Sequence, residues 1–510
     1  MAGIFFSIIA MKKLILTGLT GLAFCLTANA QGTDEPFFHL RKYYTQGNYG
    51  TARSQAMGGA FTALGGDLSN TYINPAGLGF YNRSEFSGTF NFIGSKNTAT
   101  YIDQSTTENR SPLDIGQLGV VFSREGTGSR LKKGNFGVSY STLASFSNSY
   151  SFRGSNNAHS ISDSFAELAN GSGLTPKEIA DDYDKYGNAP DGFSMALMGG
   201  LLFYDQGRYL VNEEALPVSQ SGKVTESGNL GQLNVSYGAN FDDKTYIGAG
   251  LGIQTLRFDR STSFDEKFPS NAQYLRSQYY DNELSINGTG LNLAVGVIQR
   301  LNDHLNLGAT ITTPTLLWLT DSFIQYAGVD PITSDAILYD RDARTALDEF
   351  KYRVVSPLKA NVGLSAFLPQ KIGVVSVEAE YVGFSRMNIK DKNSAAWSDG
   401  QNGSIQDEYK DVVNLKAGVE LRKGIGRLRG GINLINDPLR YASDFNVKKN
   451  AVVGSAGVGI RTANFFADLS YSRYVSTGAY NPYILDDASH NSVLFRQVRS
   501  TVGITVGSFF

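Results

Sequence analysis

The chain has 510 residues and a formal net charge of −2, which indicates neither a nucleic-acid-binding surface nor an acidic tail. It contains 56 glycines, 27 tyrosines and 31 phenylalanines, but only 13 prolines and one cysteine. After the first thirty residues no apolar stretch of about 18 residues occurs, which excludes a helical membrane protein.

Residues 1–30 have the features of a secretory signal peptide. Met11-Lys12-Lys13 supplies a basic region, residues 14–26 an apolar core, and Ala28-Asn29-Ala30 a cleavage site of small residues. The residues before Met11 fit no signal design, which favours Met11 as the start. Because Cys25 lies inside this segment, we expect an exported chain without disulfides, cysteine metal ligands or a cysteine nucleophile.

Residues 31–83 show little strand alternation and are rich in small residues. We predict a helix within Ala52 to Leu64 that Asn74-Pro75 ends, because a proline pushes the residue before it out of the α region. Gly77 and Gly79 are expected to allow tight turns into the first strand.

From Ser84 to Phe510 the chain consists of alternating segments. In Gln232 to Phe241 every second residue is apolar, and the pattern returns in the segments that begin at Leu291, Val413 and Phe465. This period of two predicts strands with one apolar and one polar face. Soluble β-sandwiches alternate in the same way, so alternation alone does not identify the class.

The connection lengths identify it. Tight polar turns are predicted at 242–244, 302–304, 369–371, 423–426 and 463–464, and longer polar loops at 267–279, 327–349, 389–409, 439–449 and 476–492. The two kinds alternate, so they lie at opposite ends of the sheet. This predicts an all-β fold, a transmembrane antiparallel β-barrel of about 14 strands over residues 84–510.

In such a barrel the apolar face meets lipid and the polar face lines the lumen. Seven charged residues are predicted to be luminal, either as a selectivity lining or as a network around a plug: Glu378, Glu380, Lys416, Glu420, Arg427, Arg429 and Asp468. The last strand ends on Phe510, in phase with Val502, Ile504 and Val506. A terminal aromatic of this kind resembles the outer-membrane assembly signal, although it is also compatible with an ordinary last strand.

The longest outer segment is predicted over about residues 153–229. Thr175 and Glu178 have capping-box spacing with Pro176 between them, so a helix is expected there. Residues 193–204 are apolar, although they fall in a loop. They form either a binding surface or a segment that packs against the barrel rim or the plug.

A barrel of about 14 strands leaves an open lumen unless something fills it. We expect residues 31–83 to enter the lumen as a plug, since their small residues pack closely. The "GAGLGI" sequence at Gly248 looks like a nucleotide loop, but it lies in mid-strand with no helix after it. Glycine there is expected to make room for the plug.

Asn74, Pro75, Ala76, Gly77 and Leu78, preceded by "AMGGAFTAL" and followed by the barrel pattern, resemble the FadL/TodX family of outer-membrane transporters for hydrophobic compounds. The resemblance implies that these five residues form part of an N-terminal hatch and that a lipophilic ligand is captured from outside. It also implies release through a kinked third strand into the bilayer. The candidate strand is Gly134 to Phe152, where neither proline nor a double glycine marks a kink.

Four histidines give little sign of other chemistry. His39 falls in the plug, His304 in a tight turn, and His159 and His490 in separate outer loops. Their spacing predicts no metal site, and no cofactor is expected. The alternative is a hydrolase at the barrel rim that uses His159 or His490 with a nearby serine, but the chain is predicted not to be an enzyme.

The predicted function is passive, hatch-gated uptake of hydrophobic small molecules across the outer membrane of a Gram-negative bacterium. The expected partners are such a ligand, the lipid bilayer and the barrel assembly machinery, with no nucleic acid and a monomeric state. The alternative is a barrel component or docking factor of a protein secretion or assembly system. An apolar pocket between plug and wall favours transport, and a solid lumen with a flat loop surface favours the alternative. The plug is far too short for a TonB-dependent receptor.

Overall fold

The computed structural model describes residues 49–126, 128, 130–211, 216–332, 342–440 and 450–510. The predicted signal peptide, His39 and most of the predicted loop 439–449 lie outside these residues.

Fourteen strands form a closed antiparallel barrel, as the alternating pattern predicts. The ladder closes between the first and last strands, from Glu85↔Phe509 to Thr100↔Leu494. Several strands contain a short interruption and continue in the same direction. The strands are β1 Glu85–Tyr101, β2 Gln104–Arg110 and Leu113–Glu125, β3 Leu131–Ser145 and Asn148–Asn156, β4 Val218–Phe241, β5 Thr245–Lys267, β6 Leu275–Asn302, β7 Leu305–Thr312 and Leu316–Pro331, β8 Asp348–Val355 and Leu358–Phe367 with a short outer piece Asp342–Arg344, β9 Gly373–Gly383 and Asn388–Lys390, β10 Val412–Lys423, β11 Gly426–Ile435, β12 Ala451–Arg461, β13 Phe465–Tyr480 and β14 Val493–Phe509.

The tight turns lie where they are predicted, but several long loops are shorter than expected, because strands extend into 153–229, 267–279, 327–349 and 476–492. The predicted loop 267–279 spans only residues 268–274, because β5 and β6 stay paired up to Ser277↔Lys267. Beyond the bilayer both faces of a strand meet water, so its sequence loses apolar alternation while the backbone pairing continues. The prediction of a loop over residues 275–279 is therefore wrong, because these polar residues belong to β6.

The two faces of the barrel have the predicted chemistry. Val413 and Leu415 on β10 are 47% and 51% exposed on the outer surface. Glu420 on the same strand and Asp468 on β13 are buried inside. Closure pairs every strand with two neighbours, which a bilayer requires because it offers no hydrogen bonds to a free edge.

The described parts of the outer loops carry the helices α2 Ile161–Ser172, α3 Pro176–Tyr186, α4 Gly192–Met198 and α5 Ala395–Glu408, and a hairpin of Phe203–Asp205 and Arg208–Leu210. The predicted capping box of α3 is confirmed, since Thr175 and Glu178 bond to each other's backbone N–H. Among the described residues, the helices are all too short or too polar to cross a membrane.

The apolar residues 193–204 mostly pack inward. Met195, Leu197 and Leu201 are buried in one cluster with residues of the barrel and of α2, among them Phe264 and Phe165. The packing alternative therefore accounts for most of this segment.

Residues 49–83, called here the luminal segment, contain α1 Ala52–Ala56 and two 3₁₀-helices, Leu68–Thr71 and Pro75–Phe80. The helix predicted within Ala52 to Leu64 is α1, which ends at Ala56 because Gly58 and Gly59 take φ values of +65° and +76°. Asn74-Pro75 begins a 3₁₀-helix instead of ending an α-helix, with Pro75 at its first position.

Candidate functional site

The luminal segment lies inside the barrel and contacts its wall on several sides. The backbone N–H of Ala52 donates to the Thr505 hydroxyl on β14 at 2.7 Å. Near the other end of the segment, the Asn135 side chain on β3 donates to the carbonyl of Leu78 at 2.6 Å. These bonds join one compact segment to strands far apart in sequence.

The five residues of the hatch motif are all buried and build one turn. Asn74 Oδ1 accepts the N–H of Ala76 at 3.1 Å, and its Nδ2 donates to the carbonyl of Thr62 at 2.6 Å. Asn74 thus caps the 3₁₀-helix and ties it to the preceding loop. Gly77 does not serve a tight turn: a Cβ there would lie 2.3 Å from Asn70 Nδ2, so close packing requires the glycine.

Barrel glycines make space for this turn. A Cβ on Gly248 would lie 2.2 Å from the carbonyl carbon of Pro75, and one on Gly296 would lie 1.8 Å from Asn74 Oδ1. No side chain fits at such distances, so the wall backbone directly contacts the backbone of Pro75 at Gly248 and the side chain of Asn74 at Gly296. The prediction that Gly248 makes room for the N-terminal segment is confirmed.

A buried ionic network anchors α1 to the wall. Arg53 Nε lies 3.0 Å from Glu420 Oε2, whose carboxylate also accepts Arg429 Nε at 2.7 Å. Arg429 in turn reaches Asp468 at 2.6 Å. Burial by itself would lower the pKa of Arg53, but the carboxylates of Glu420 and Asp67 raise it above its ordinary value, so the guanidinium stays charged.

A second anchor lies on β9 and β10. Glu378 Oε2 accepts the backbone N–H groups of Phe61 and Thr62 at 3.0 and 2.9 Å, while its other oxygen meets Lys416 at 3.0 Å. These predicted luminal charges therefore hold the segment, as the network alternative proposes.

Beyond the segment, toward the outer side, lies a cavity of about 180 Å³. Tyr49, Ser54, Gly59 and Tyr72 contribute to it from the luminal segment. The wall contributes mainly amide, hydroxyl and charged side chains, together with Leu143, Leu230, Pro357 and Ile435. The pocket between segment and wall thus mixes polar and apolar groups, in contrast to the apolar pocket expected for a transporter.

On six strands, the side chains that point into the lumen change from polar to apolar toward the outer loops. The polar positions, called here the polar belt, are Gln232, Gln254, Thr315, Ser356, Glu380 and Asn414. The positions two residues outward on the same strands, the apolar belt, are Leu230, Leu256, Leu317, Val354, Val382 and Val412. The apolar belt is part of one buried cluster that the outer residues Phe384 and Ile405 also join.

The ladder between β2 and β3 stops halfway. Its pairs run from Glu125↔Lys133 to Gln117↔Ser141. Further out, in the described part of the chain, residues 104–116 of β2 and 142–156 of β3 form no ladder pair with each other. Each still pairs with its other neighbour, and β3 pairs with β4 up to Asn156↔Val218. We call this stretch the outer seam.

Side chains bridge the outer seam in place of the ladder. Thr142 Oγ1 donates to the carbonyl of Ile115 at 2.7 Å, and Ser149 Oγ donates to Glu108 Oε2 at 2.5 Å. The seam begins level with Ile115, whose side chain is 44% exposed on the lipid-facing surface. The candidate third strand is thus interrupted at residues 146–147, although no proline or double glycine marks the position.

At the C-terminus, Phe510 lies just beyond β14 and is 66% exposed. Its N–H donates to the carbonyl of Ser84 at 3.0 Å, and its ring meets Phe122 edge-on at 6.5 Å. The ring therefore lies on the outside of the barrel wall, near the end of the barrel that carries the tight turns.

The loops bring together two residues from segments that are far apart in sequence. Ser489 Oγ lies 3.0 Å from His159 Nε2, and His159 Nδ1 lies 3.5 Å from Asp163 Oδ2. The Ser489 hydroxyl also donates to Asp487 at 2.5 Å, and Asp163 caps α2 through the N–H of Ser160. These groups are thus engaged in a turn and a helix cap.

His490 accepts the N–H of Leu485 through Nδ1, and His304 lies in its predicted turn. Within the described residues, no group of three or more histidine, cysteine, aspartate or glutamate side chains could hold a metal ion.

Solved structures with this architecture include two proteins from Pseudomonas species. A FadL homologue of Pseudomonas aeruginosa is 11% identical and aligns with a TM-score of 0.54, covering 91% of this chain and 99% of its own. The toluene transporter TodX of Pseudomonas putida is 12% identical, with a TM-score of 0.50 and coverages of 92% and 99%. No family model and no curated protein sequence matches the chain. The resemblance to the FadL/TodX family that the N-terminal motif indicates is therefore confirmed at the level of the fold.

Proposed function

We propose that this protein resides in the outer membrane of a Gram-negative bacterium and takes up hydrophobic small molecules by passive, hatch-gated diffusion. The observation that carries the proposal is the continuity between the apolar cluster in the lumen and the outer seam. Ala144 lies next to the interruption of β3 and Phe146 lies within it. Both belong to the buried cluster that contains Leu230 and Leu256. An apolar path therefore leads from the lumen to the place where the ladder is open.

In this proposal the luminal segment is the hatch and closes the barrel below the cavity. Asn74, Pro75, Ala76, Gly77 and Leu78 hold its central turn against the glycines of the wall. A lipophilic molecule enters through the outer loops, reaches the apolar cluster and leaves sideways through the outer seam. This direction avoids the polar floor of the cavity, where burying a hydrocarbon would leave hydrogen-bonding groups without partners.

The remaining assignments complete the proposal. Residues 1–30 act as the signal peptide, residues 31–83 as the hatch, and residues 84–510 as the barrel. Phe510 acts as the signal for the barrel assembly machinery, and the protein works as a monomer without a cofactor or an enzymatic step. The similarity in fold to the FadL homologue and to the toluene transporter TodX supports transport of hydrophobic compounds in general.

The test is to close the outer seam chemically. The exported chain is expected to lack cysteine, so Glu108→Cys with Ser149→Cys introduces the only thiol pair, at positions whose side chains now touch across the seam. A short bifunctional thiol reagent then joins β2 to β3. We expect this cross-link to abolish uptake of whichever of three radiolabelled hydrophobic compounds, toluene, oleate and monooleoylglycerol, the unmodified protein takes up in cells that lack other such channels, and reduction of a cleavable reagent to restore it.

The matched control is Thr98→Cys with Thr107→Cys. These hydroxyls lie 3.1 Å apart on β1 and β2, across a continuous ladder in the same outer part of the barrel. Cross-linking this pair should leave uptake unchanged. Undiminished uptake with the seam closed, or an absence of uptake by the unmodified protein, would contradict the proposal, and recovery of a bound protein partner would favour the secretion alternative.

A further inference from the structure

The cavity above the luminal segment holds an acceptor without a donor. Gln254 is 4% exposed and lines the cavity, and its Oε1 has no hydrogen-bond partner among the described residues. Its Nε2 donates to Gln232 Oε1 at 2.8 Å, which fixes the direction of the amide. A buried acceptor in this state is unfavourable unless a ligand supplies an N–H or O–H group.

The charges around the cavity balance. Lys416 lies 3.0 Å from Glu378 and 3.4 Å from Glu380, and Lys359 lines the same cavity. Lys359, Lys416 and Glu380 line the cavity, and Glu378 pairs with Lys416 from outside the lining, so these four groups together carry no net charge. Burial also raises the pKa of Tyr72, the phenol on the floor, so it stays neutral.

The surroundings of Gln254 favour a ligand with two different ends. The polar belt lies on the side of the wall that is nearer to the luminal segment. The apolar belt lies two residues further along each of the same strands, toward the outer loops. Leu230 belongs both to the apolar belt and to the lining of the cavity, so the two environments meet there. A molecule that spans them needs a polar head about the size of the cavity and an apolar tail.

We propose that the ligand of this site is an uncharged amphiphile whose head donates hydrogen bonds, such as an acylglycerol or a fatty amide. Its head lies in the polar belt with a donor on Gln254 Oε1, and its tail lies among the residues of the apolar belt. A carboxylate has no donor for Gln254 and would add a net charge to a balanced site, and a hydrocarbon leaves Gln254 Oε1 without a donor. This assignment of substrate class rests on the proposed transport function.

Three probes with the same twelve-carbon acyl chain test the inference on the full-length protein. They are 1-monododecanoylglycerol, which has donors, methyl dodecanoate, which has none, and dodecanoate at pH 8, where the carboxylate is charged. Native mass spectrometry of the barrel released from an amine-oxide detergent reports the occupancy of each. We expect the monoglyceride to bind at least about tenfold more tightly than the other two, about the effect of one well-placed hydrogen bond.

The variant Gln254→Met removes the acceptor at nearly constant volume. It should reduce monoglyceride binding about tenfold and leave methyl dodecanoate unchanged. Gln299→Met is the control, because Gln299 lies near a tight turn and outside the cavity, where its amide bonds Thr245 and Arg300.

The outcomes separate the two proposals. Binding of methyl dodecanoate or dodecanoate as tight as that of the monoglyceride, or an equal loss in both variants, would overturn the assignment of the head group while leaving transport intact. Failure of all three probes to bind would contradict the transport proposal itself.

Discussion

The phenolic oxygen of Tyr49 accepts the backbone N–H of Ser145 at 3.0 Å, at the last residue of β3 before its interruption. The same oxygen accepts Arg499 Nη1 from β14 at 3.2 Å. Tyr49 belongs to the luminal segment, so this hydroxyl joins the proposed hatch directly to the edge of the outer seam. A movement of the hatch would therefore release the strand at the place where its ladder is already open.

Tyr49→Phe should loosen β3 without unfolding the barrel. The N–H of Ser145 loses its acceptor, a cost of about 1–3 kcal/mol for a buried group, so local opening becomes roughly ten times more frequent. Hydrogen exchange of peptides covering residues 140–150 measures this. Tyr471→Phe, which removes an exposed hydroxyl contact with Ser500, should leave those peptides unchanged. Equal exchange in Tyr49→Phe and the unmodified protein would show that the link does not restrain β3.

Arg53→Met should weaken the seat of the luminal segment. Removal of the Arg53 guanidinium leaves the buried carboxylates of Glu420 and Asp67 with less neutralising positive charge, which costs about 3–5 kcal/mol. We expect α1 to leave the wall and small hydrophilic solutes to leak through the barrel, as measured by ion conductance in planar bilayers. Lys177→Met is the control, because its pair with Asp181 is exposed on α3 and should not affect conductance. A conductance unchanged in Arg53→Met would argue against this anchor.

Gly248→Ala should displace the hatch turn. The added methyl group would overlap the carbonyl carbon of Pro75, and overpacking of this kind costs about 1–3 kcal/mol. The measurement is the accessibility of the segment to an added protease, which should increase. Gly454→Ala on β12 meets no atom within 4 Å and should behave like the unmodified protein. Identical proteolysis of the two variants would mean that the turn adapts without leaving its seat.

Ser489 should not react as a nucleophile. Its hydroxyl donates to Asp487, and the carboxylate beside His159 caps α2, so neither is held for proton transfer from serine to histidine. A fluorophosphonate probe should therefore fail to label the protein, and Ser489→Ala should preserve uptake. Labelling that disappears in Ser489→Ala would reveal an esterase site at the rim.

The local periodicity of the sequence determines the class of the fold. Alternation of period two needs only neighbouring residues, so β10, β13 and the tight turns between strands are predictable without knowledge of their partners. The same holds for the helix at Thr175, whose cap involves residues three positions apart. Predictions failed where local polarity has two meanings, as in the loop 267–279 and around Asn74-Pro75.

The contacts inside the lumen depend on the tertiary structure. Alternation places Glu378 on the luminal face, but its hydrogen bonds to Phe61 and Thr62 arise from contact with a distant segment. The same is true of the roles of Tyr49 and Gln254, which no local pattern marks. The interruption of β3 depends on where its pairing with β2 ends, which is a property of two strands together. The change from the polar to the apolar belt could have been found by comparing strands, but only after their register was known. Local patterns are enough to predict that a barrel forms and which face meets lipid, because the bilayer acts on each strand separately. The cavity, its anchors and the seam arise only when closure brings those strands around one segment.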